Sequence, residues 1–385
     1  MIQIGLVGKA NVGKSSFFKA STLADVKIAS YPFTTIESNV GMAHVIINCV
    51  CKEFGTKCNP RLGKCENGKR FVPVKLIDVG GLVPGSHLGK GLGNKFLDDI
   101  RQASVLIQIV DFSGLTDSEG KPTKNYDPSK EIEFLADEIN LWFAGVIKRA
   151  LEKFKKKLET SSRTDLIQTL TQELSGLEVR KEHIEQALEK APITDIEEFA
   201  RSIKEISKPI TIAANKIDLK PAQDNFEKLK QKYKLVVPTS AEAEIALKKA
   251  SEQDLVDYLP GDGFKIKGKP EEKQLRALEF IKKEVIDKYG STGIQTSLNK
   301  AVFELLDYIA VYPVADVNKL TDKNGVVLPD TFLVPKGTTV KELAFMVHTE
   351  LGEKFICGID ARTKRKLSGD YQLKNNDVVE ITFAK

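Results

Sequence analysis

The sequence lacks an apolar segment long enough to cross a membrane. A spanning helix needs about 20 consecutive apolar residues, and polar side chains interrupt every apolar run of this 385-residue chain well short of that length. The chain also lacks the charged leader, apolar stretch and cleavage site of a secretory signal, because Met1 is followed at once by a strand-like run, residues 2–7. These absences favour a cytoplasmic location without membrane binding.

A strong excess of charge of one sign is missing as well. The 58 basic and 53 acidic residues leave a net charge of +5, which is too little to predict nucleic-acid binding for the chain as a whole. Basic side chains are concentrated in two places, residues 148–157 and 362–366. Either group could contact a phosphate backbone, and the alternative is an ordinary solvated surface.

The motifs of enzymes that act on small substrates are also absent. We find neither an H-E-x-x-H metal motif nor a Ser-His-Asp arrangement, and the chain has no internal repeat and no low-complexity segment. A prior of roughly 150 residues per domain predicts two or three domains. Abundant Lys and Glu with little Gln lean toward a thermophilic source.

The apolar pattern that is present predicts an α/β fold. Strand-like runs alternate with glycine-rich turns and helical patterns, which indicates a mostly parallel sheet with helices on both faces. The predicted strands are residues 2–7, 43–50, 71–77, 104–110, 210–214 and 235–237.

A long helical pattern interrupts this sheet. Apolar residues recur at helical spacing from Ile132 to Leu158, Ser161 and Ser162 break the pattern, and a second one runs from Leu166 to Leu188. Two antiparallel helices forming a hairpin are the simplest interpretation. Beyond residue 306 short strand-like runs surround one helix at 339–351, which indicates a small α+β module. The predicted domains are 1–127 with 207–305, an inserted hairpin at 128–206, and 306–385.

Residues 8–15, GKANVGKS, match the phosphate-loop pattern G-x-x-x-x-G-K-[ST]. The match follows a strand-like run and precedes a helical one, which is the context that the motif requires. Backbone N–H groups and a helix N-terminus there hold phosphate oxygens, Lys14 adds charge at the β- and γ-phosphates, and the Ser15 hydroxyl binds Mg²⁺. The predicted nucleotide-binding residues in this segment are Asn11, Val12, Gly13, Lys14, Ser15 and Ser16.

A second motif, D-x-x-G, ends a later strand. The Asp78 carboxylate can hold Mg²⁺ through water, and the Gly81 N–H can meet the γ-phosphate. The pattern is weak alone and becomes specific when it follows a phosphate loop.

A third and a fourth motif indicate guanine. Asn215, Lys216 and Asp218 form N-K-x-D, whose Asp accepts hydrogen bonds from guanine N1–H and the N2 amine, donors that adenine lacks at those positions. Ser240 and Ala241 follow the next strand and can supply a backbone N–H to guanine O6.

With these motifs in order, the chain resembles the GTPases of the translation-factor class, specifically the Obg/YchF-related group of archaeal type. Residues 31–37 resemble the first switch of that group and residues 81–97 the second, while the C-terminal module resembles a TGS domain, a small ubiquitin-like fold. The resemblance implies a Mg²⁺-dependent GTPase that acts on ribosomes or RNA. YchF relatives carry a changed base motif and can favour ATP, which stays as an alternative.

The resemblance also implies catalytic roles. Thr35 is the first-switch residue that closes on Mg²⁺ and the γ-phosphate, although Thr34 is adjacent. Leu82 stands where Ras-like enzymes place a Gln, so the attacking water needs another group, and His87 is either that group or an exposed loop residue. The predicted catalytic residues are Lys14, Thr35, Gly81 and His87.

Asn11 resembles the loop residue that holds K⁺ in the potassium-activated GTPases of this class. A cation there could supply the charge of an arginine finger. The alternative is an asparagine that only turns the loop.

The few cysteines are unevenly placed. Cys49, Cys51, Cys58 and Cys65 lie in one segment with the spacing C-x-C-x₆-C-x₆-C, and Cys357 is far away. The spacing is not the paired C-x-x-C of common Zn²⁺ sites. A structural role by Zn²⁺, by disulfides or as free thiols stays open.

Two classes of function remain for the chain as a whole. One is a GTPase switch, more often a monomer than an oligomer, that acts on ribosomes or RNA. The other is a nucleotide-gated binding module with negligible turnover.

Overall fold

The computed structural model describes residues 1–22, 39–80, 93–158 and 162–384. The first sheet is formed by β1 (Gln3–Val7), β2 (Val40–Asn48), β3 (Lys64–Glu66), β4 (Lys69–Asp78), β5 (Val105–Asp111), β6 (Ile210–Asn215) and β7 (Val236–Pro238). Its order is β2-β4-β1-β5-β6-β7, with β3 beside β4. Within the described part of this sheet, only the pairs that β4 makes with β2 and β3 are antiparallel. The predicted mostly parallel sheet is confirmed.

Helices cover both faces of this sheet because its central strands are apolar on both sides. In β5, which is buried along its whole length, Leu106 packs on one face and Ile107 on the other. The Ile107 face is covered by α1 (Lys14–Thr22), α8 (Ala241–Glu252) and α11 (Ile294–Lys300), and the Leu106 face by α2 (Gly93–Gln102) and the helical insert. The remaining helix of this part is α7 (Lys220–Leu229).

The insert differs from the predicted two-helix hairpin. One long helix, α3 (Ser129–Leu158), is followed by α4 (Arg163–Leu174), α5 (Lys181–Lys190) and α6 (Ile196–Ser207). The return arm is divided because Glu178 takes a left-handed φ of 57° after a short 3₁₀ turn and because Pro192 forces the residue before it out of the helix. Helix α6 packs back against α3.

A short bridge leads to the C-terminal module. It contains the hairpin of β8 (Val256–Tyr258) and β9 (Phe264–Ile266), then α9 (Glu272–Ile281), which continues through a π-helical turn into α10 (Asp287–Tyr289), and finally α11.

The module itself is a sheet of β10 (Tyr308–Val314), β11 (Phe332–Pro335), β12 (Phe355–Asp360), β13 (Lys366–Leu367) and β14 (Val378–Phe383). Its order is β11-β10-β14-β12-β13. Helix α12 (Val340–Val347) packs on this sheet through Val340, Leu343 and Ala344. The helix predicted at 339–351 ends early, because His348 is extended and α13 (Thr349–Glu353) begins after it.

None of the helices in the described part of the chain is both long enough and apolar enough to cross a membrane.

Candidate functional site

The candidate site lies at the carboxyl edge of the first sheet. Parallel strands β1, β4, β5 and β6 all end there, at Val7, Asp78, Asp111 and Asn215. A cavity of about 760 Å³ opens at this edge. Of the predicted nucleotide-binding residues it is lined by Asn11, Gly13, Lys14, Ser15, Ser16, Asn215, Lys216, Asp218, Ser240 and Ala241. Val12, also predicted, is fully buried and packs in the core beneath the loop.

The phosphate loop has a shape that requires glycine at position 13. Gly13 has a φ of 94°, in the left-handed region, and a Cβ there would lie 2.3 Å from Asn215 Nδ2. Asn11 is also left-handed, with a φ of 64°, a conformation that Asn tolerates better than most residues. Helix α1 begins directly after the loop, so its first N–H groups face the phosphate end of the cavity.

Lys14 and Asp78, predicted to serve phosphate and Mg²⁺, are in direct contact. Lys14 Nζ lies 2.6 Å from Asp78 Oδ1 and 2.5 Å from the Val79 carbonyl oxygen. Both side chains remain partly exposed, at 15% and 23%, and Lys14 lines the cavity. Phosphate oxygens entering the loop must therefore compete with Asp78 for the ammonium.

Asn215 links the base end of the cavity to the phosphate end. Its Nδ2 donates to the Val12 carbonyl at 2.8 Å, and its Oδ1 accepts from the Ala241 N–H at 3.3 Å. The residue is buried, so both hydrogen bonds are shielded from water. Asn215 thus fixes three segments, the phosphate loop, β6 and the start of α8, in one arrangement.

Asp218 is oriented by a neighbouring hydroxyl. Ser240 Oγ donates to Asp218 Oδ1 at 2.6 Å and accepts from the Ala243 N–H at 3.3 Å, which makes Ser240 the N-cap of α8. One residue therefore both begins this helix and positions the carboxylate predicted to read guanine.

Asp111 was missed by the sequence analysis. It is 1% exposed, and its Oδ2 accepts from Lys216 Nζ at 2.8 Å and from Thr116 Oγ1 at 2.8 Å. Burial raises the pKa of Asp111, but hydrogen bonds from Lys216, Ser113 and Thr116 outweigh it and hold the pKa below its usual value. The signal for this residue was its place at the end of an apolar strand, where it pairs with Asn215 in the sheet.

A second group missed by the sequence analysis supports the outer side of the phosphate loop. Lys9 forms an ion pair with Glu131 at 3.0 Å, donates to the Thr116 carbonyl at 3.2 Å and lies over the Tyr126 ring. Burial raises the pKa of Glu131 to about 7, although Lys9 opposes the change. The first helix of the insert, α3, is thereby joined to the phosphate loop.

Other predicted residues lie outside the described part of the chain: Thr34, Thr35, Gly81, Leu82 and His87. Of the basic groups, Lys148 and Arg149 are exposed on α3, and Lys366 is exposed on the C-terminal module. Arg362 is occupied by an ion pair with Glu53 at 2.6 Å.

The four clustered cysteines converge at the opposite edge of the sheet. Their Sγ atoms all lie within 4.8 Å of one another. None of the cysteines forms a disulfide, and Cys357 stands apart, in contact with Thr382.

Comparisons with known proteins identify the family. The profile of the 50S ribosome-binding GTPases matches residues 3–143, that of the Obg-like GTPase YGR210-like, G4 motif-containing domain matches 213–316, and that of the TGS domain matches 323–382. A GTP-binding protein of Methanocaldococcus jannaschii is 48% identical over 395 residues, which is 100% of each chain. The chain belongs to the Obg-like, YchF-type GTPases.

Two further relatives match this Obg-like GTPase over nearly its whole length. The crystal structure of a GTP binding protein from Pyrococcus horikoshii OT3 matches with a TM-score of 0.79 and 38% identity over 100% of both chains. The ribosome-binding ATPase YchF of Bacillus subtilis is 27% identical and covers 98% of each chain. The predicted fold, the TGS domain and membership in a family of P-loop nucleotide hydrolases are confirmed.

Proposed function

We propose that this Obg-like GTPase binds GTP and hydrolyses it to GDP and phosphate. One observation carries the proposal: a single cavity joins Lys14 and Ser15 at one end to Asp218 and Ser240 at the other. The first pair suits the phosphates and the second suits the guanine edge, so the cavity supports both chemical requirements of GTP. The phosphates of a bound nucleotide would also replace Asp78 as the partner of Lys14.

The choice of GTP over ATP rests on Asp218. Its Oδ1 is fixed by Ser240, so the carboxylate is presented to the base edge with little freedom. Adenine offers no N–H to pair with the carboxylate there. Leaving the carboxylate unpaired should weaken binding by about 100-fold or more. The alternative is ATP, which the name of the Bacillus subtilis relative carries.

Calorimetric titration with GDP and with ADP tests this choice. We expect GDP to bind and ADP to bind at least about 100-fold more weakly. Asp218→Ala should remove most of the preference, whereas Asp224→Ala, which changes an exposed carboxylate on α7, should leave it intact. Equal affinity for both nucleotides would favour the ATPase alternative.

We assign Mg²⁺ to Ser15, Thr35 and Asp78. The hydroxyl of Ser15 and the carboxylate of Asp78 are the hard oxygen donors that Mg²⁺ prefers, and Asp78 ends β4 beside the phosphate loop. When bound, the ion neutralises charge that develops on the phosphates.

Asn11 supports a further dependence on K⁺. Its Nδ2 donates to the Gly120 carbonyl at 2.9 Å. The amide oxygen is the atom that an alkali cation would contact, and this hydrogen bond directs it away from Gly120. We expect turnover to rise when K⁺ replaces Na⁺ at equal ionic strength. Equal turnover in the two salts would limit Asn11 to shaping the loop.

The remaining proposals concern the cycle. We propose that His87 orients the attacking water, since Leu82 has no polar side-chain atom. We also propose that the chain acts in the cytoplasm as a monomeric, ribosome- or RNA-associated switch. The association with ribosomes is supported by the names of the matching family, the 50S ribosome-binding GTPases, and of the Bacillus subtilis relative, a ribosome-binding ATPase.

The proposed domain bounds are 1–127 with 207–305 for the G domain, 128–206 for the insert and 306–385 for the TGS domain, with Zn²⁺ at the cysteine cluster.

Two measurements test the switch. Co-sedimentation with ribosomes should be stronger with a non-hydrolysable GTP analogue than with GDP. His87→Ala should lower the turnover number while GDP affinity stays unchanged. Ribosome binding that ignores the nucleotide, with negligible turnover, would favour the binding-module alternative.

A further inference from the structure

The four cysteine sulfurs lie close enough together to bind one metal ion. The Cys49 and Cys58 Sγ atoms are 3.7 Å apart, those of Cys51 and Cys65 are 3.9 Å apart, and all four lie within 4.8 Å. Four thiolates around Zn²⁺ at about 2.3 Å are separated by about 3.8 Å. Because a disulfide needs about 2.05 Å, these sulfur–sulfur distances fit ligands of a shared metal ion and do not fit a covalent bond between any two of the sulfurs.

The segment that carries the cysteines, residues 49–68, has little core of its own. We call it the cysteine loop. Cys49, Val50 and Cys51 are its buried apolar residues, and most of the rest is exposed or half-buried. Short segments without a core usually need a metal or a disulfide to hold a single shape. The four sulfurs are the groups available for that purpose.

Arg70 is a buried cation beside the cluster, and no carboxylate of the described residues forms an ion pair with it. Arg70 is 1% exposed and donates to the Leu328 and Pro329 carbonyls, both at 2.8 Å, while its Nε has no acceptor among the described residues. Four thiolates around one Zn²⁺ carry a net charge of −2, which the buried guanidinium would partly neutralise.

The cysteine loop is also the surface on which the C-terminal module rests. Cys49, Val50 and Cys51 pack in one apolar cluster with Tyr312 and Leu328 of the module. The loop and the module share further polar contacts.

These contacts involve both backbone and side chains. The Asn59 N–H donates to the Val327 carbonyl at 2.9 Å, and Arg61 pairs with Asp322 at 2.7 Å. Glu53 accepts from Arg362 through both oxygens, at 2.6 and 2.7 Å. A loop that loses its shape would lose these contacts together.

We propose that Cys49, Cys51, Cys58 and Cys65 bind one structural Zn²⁺, and that this ion holds the cysteine loop in the shape that docks the C-terminal module. The site is remote from nucleotide chemistry. Strand β4 has ten residues, begins next to the cluster at Lys69 and ends at the cavity with Asp78. At about 3.3 Å per residue the two sites are about 30 Å apart.

Metal analysis of the purified full-length protein tests the ligand set. We expect about one zinc per chain, and Co²⁺ substitution should give the visible spectrum of a tetrahedral tetrathiolate site. Cys58→Ser combined with Cys65→Ser should abolish binding, whereas Cys357→Ser, which alters the cysteine outside the cluster, should retain it. A protein without metal whose mass shows disulfides, or whose thiols all react freely, would overturn the site.

Hydrogen exchange before and after chelation tests the role. We expect removal of zinc to increase exchange in residues 49–68 and in the facing residues 312–330, to leave GDP affinity within about twofold, and to be reversed by added Zn²⁺. Reversibility makes the result independent of whether the serine variants fold. Unchanged exchange across the interface in the zinc-free protein would refute the docking role even if zinc binds.

Discussion

Gly13→Ala and Asn215→Ala should be strongly coupled. The Cβ of an alanine at position 13 would lie 2.3 Å from Asn215 Nδ2, and among the described residues, chain neighbours of Gly13 aside, no other residue has an atom within 4 Å of it. That contact forces the Asn215 amide away from the Val12 carbonyl, which accepts from it at 2.8 Å. The single variant thus loses the hydrogen bond in addition to straining the backbone.

The magnitudes follow from these contacts. Asn215→Ala leaves the buried Val12 carbonyl and Ala241 N–H without a partner, which should cost about 2–4 kcal/mol. Gly13→Ala should cost about 1–3 kcal/mol for the one hydrogen bond that it breaks, plus about 1–3 kcal/mol for a non-glycine residue at a φ of 94°. In the double variant the clash is gone and the hydrogen bond is lost only once. We therefore expect a coupling free energy of about 1–3 kcal/mol.

Urea unfolding of the nucleotide-free protein measures this coupling through a double-mutant cycle. Asn225→Ala is the matched control, because Asn225 Nδ2 also donates to a backbone carbonyl, that of Phe112, at 2.8 Å. Its effect should add to that of Gly13→Ala. If Gly13→Ala and Asn215→Ala were additive within about 0.5 kcal/mol, the inferred contact between phosphate loop and base motif would be wrong.

Three further outcomes are expected. Burial raises the pKa of folded Glu131 to about 7, so this residue contributes to the free energy of unfolding below pH 4.5, and the contribution is lost as pH rises through about 7. Glu131→Gln should remove this pH dependence, which amounts to roughly 3 kcal/mol or less, as measured by thermal unfolding over a pH series. Lys208→Met should remove an opposite term: burial lowers the pKa of Lys208 to about 8, so its stability contribution is present above pH 10.5 and lost as pH falls through 8. Unaltered pH profiles would contradict either statement. Ser240→Ala should cost about 1 kcal/mol through the lost helix cap and weaken GDP binding, and normal GDP affinity would show that Asp218 needs no hydroxyl to orient it.

The parts of the fold that local sequence determines were predicted well. The phosphate loop, the base motif and the strands of the first sheet other than β3 each depend on a short run of residues and were predicted, whereas the three-residue β3 was missed. The return arm of the insert was not predicted either, because apolar spacing continues through Glu178 and past Pro192, where turn chemistry ends the helices. Strands β10 and β12 were also missed, and their partners lie far away in sequence.

Partnerships across long separations could not be predicted from spacing. Asp111 acquires its role from Lys216, which is 105 positions later, and Lys9 meets Glu131 only in the fold. The convergence of the four cysteines was equally hidden, since their spacing matches no common metal motif. The structure brings their sulfurs together through the turn after β2 and the short strand β3.

Strand β4 gives the molecule a mechanical property. A hydrogen-bonded strand is stiff along its axis, and sliding it against its neighbour requires a shift by whole residues that would exchange its two faces. Asp78 stands at one end of the strand, and Arg70, near the other, donates to the carbonyls of Leu328 and Pro329, so the strand joins the phosphate loop to the TGS domain through these contacts. If the nucleotide state shifts β4 along its axis, label-to-label distances between the G domain and the TGS domain should differ between the GDP and GTP-analogue states, and equal distances would show that the strand transmits no such shift.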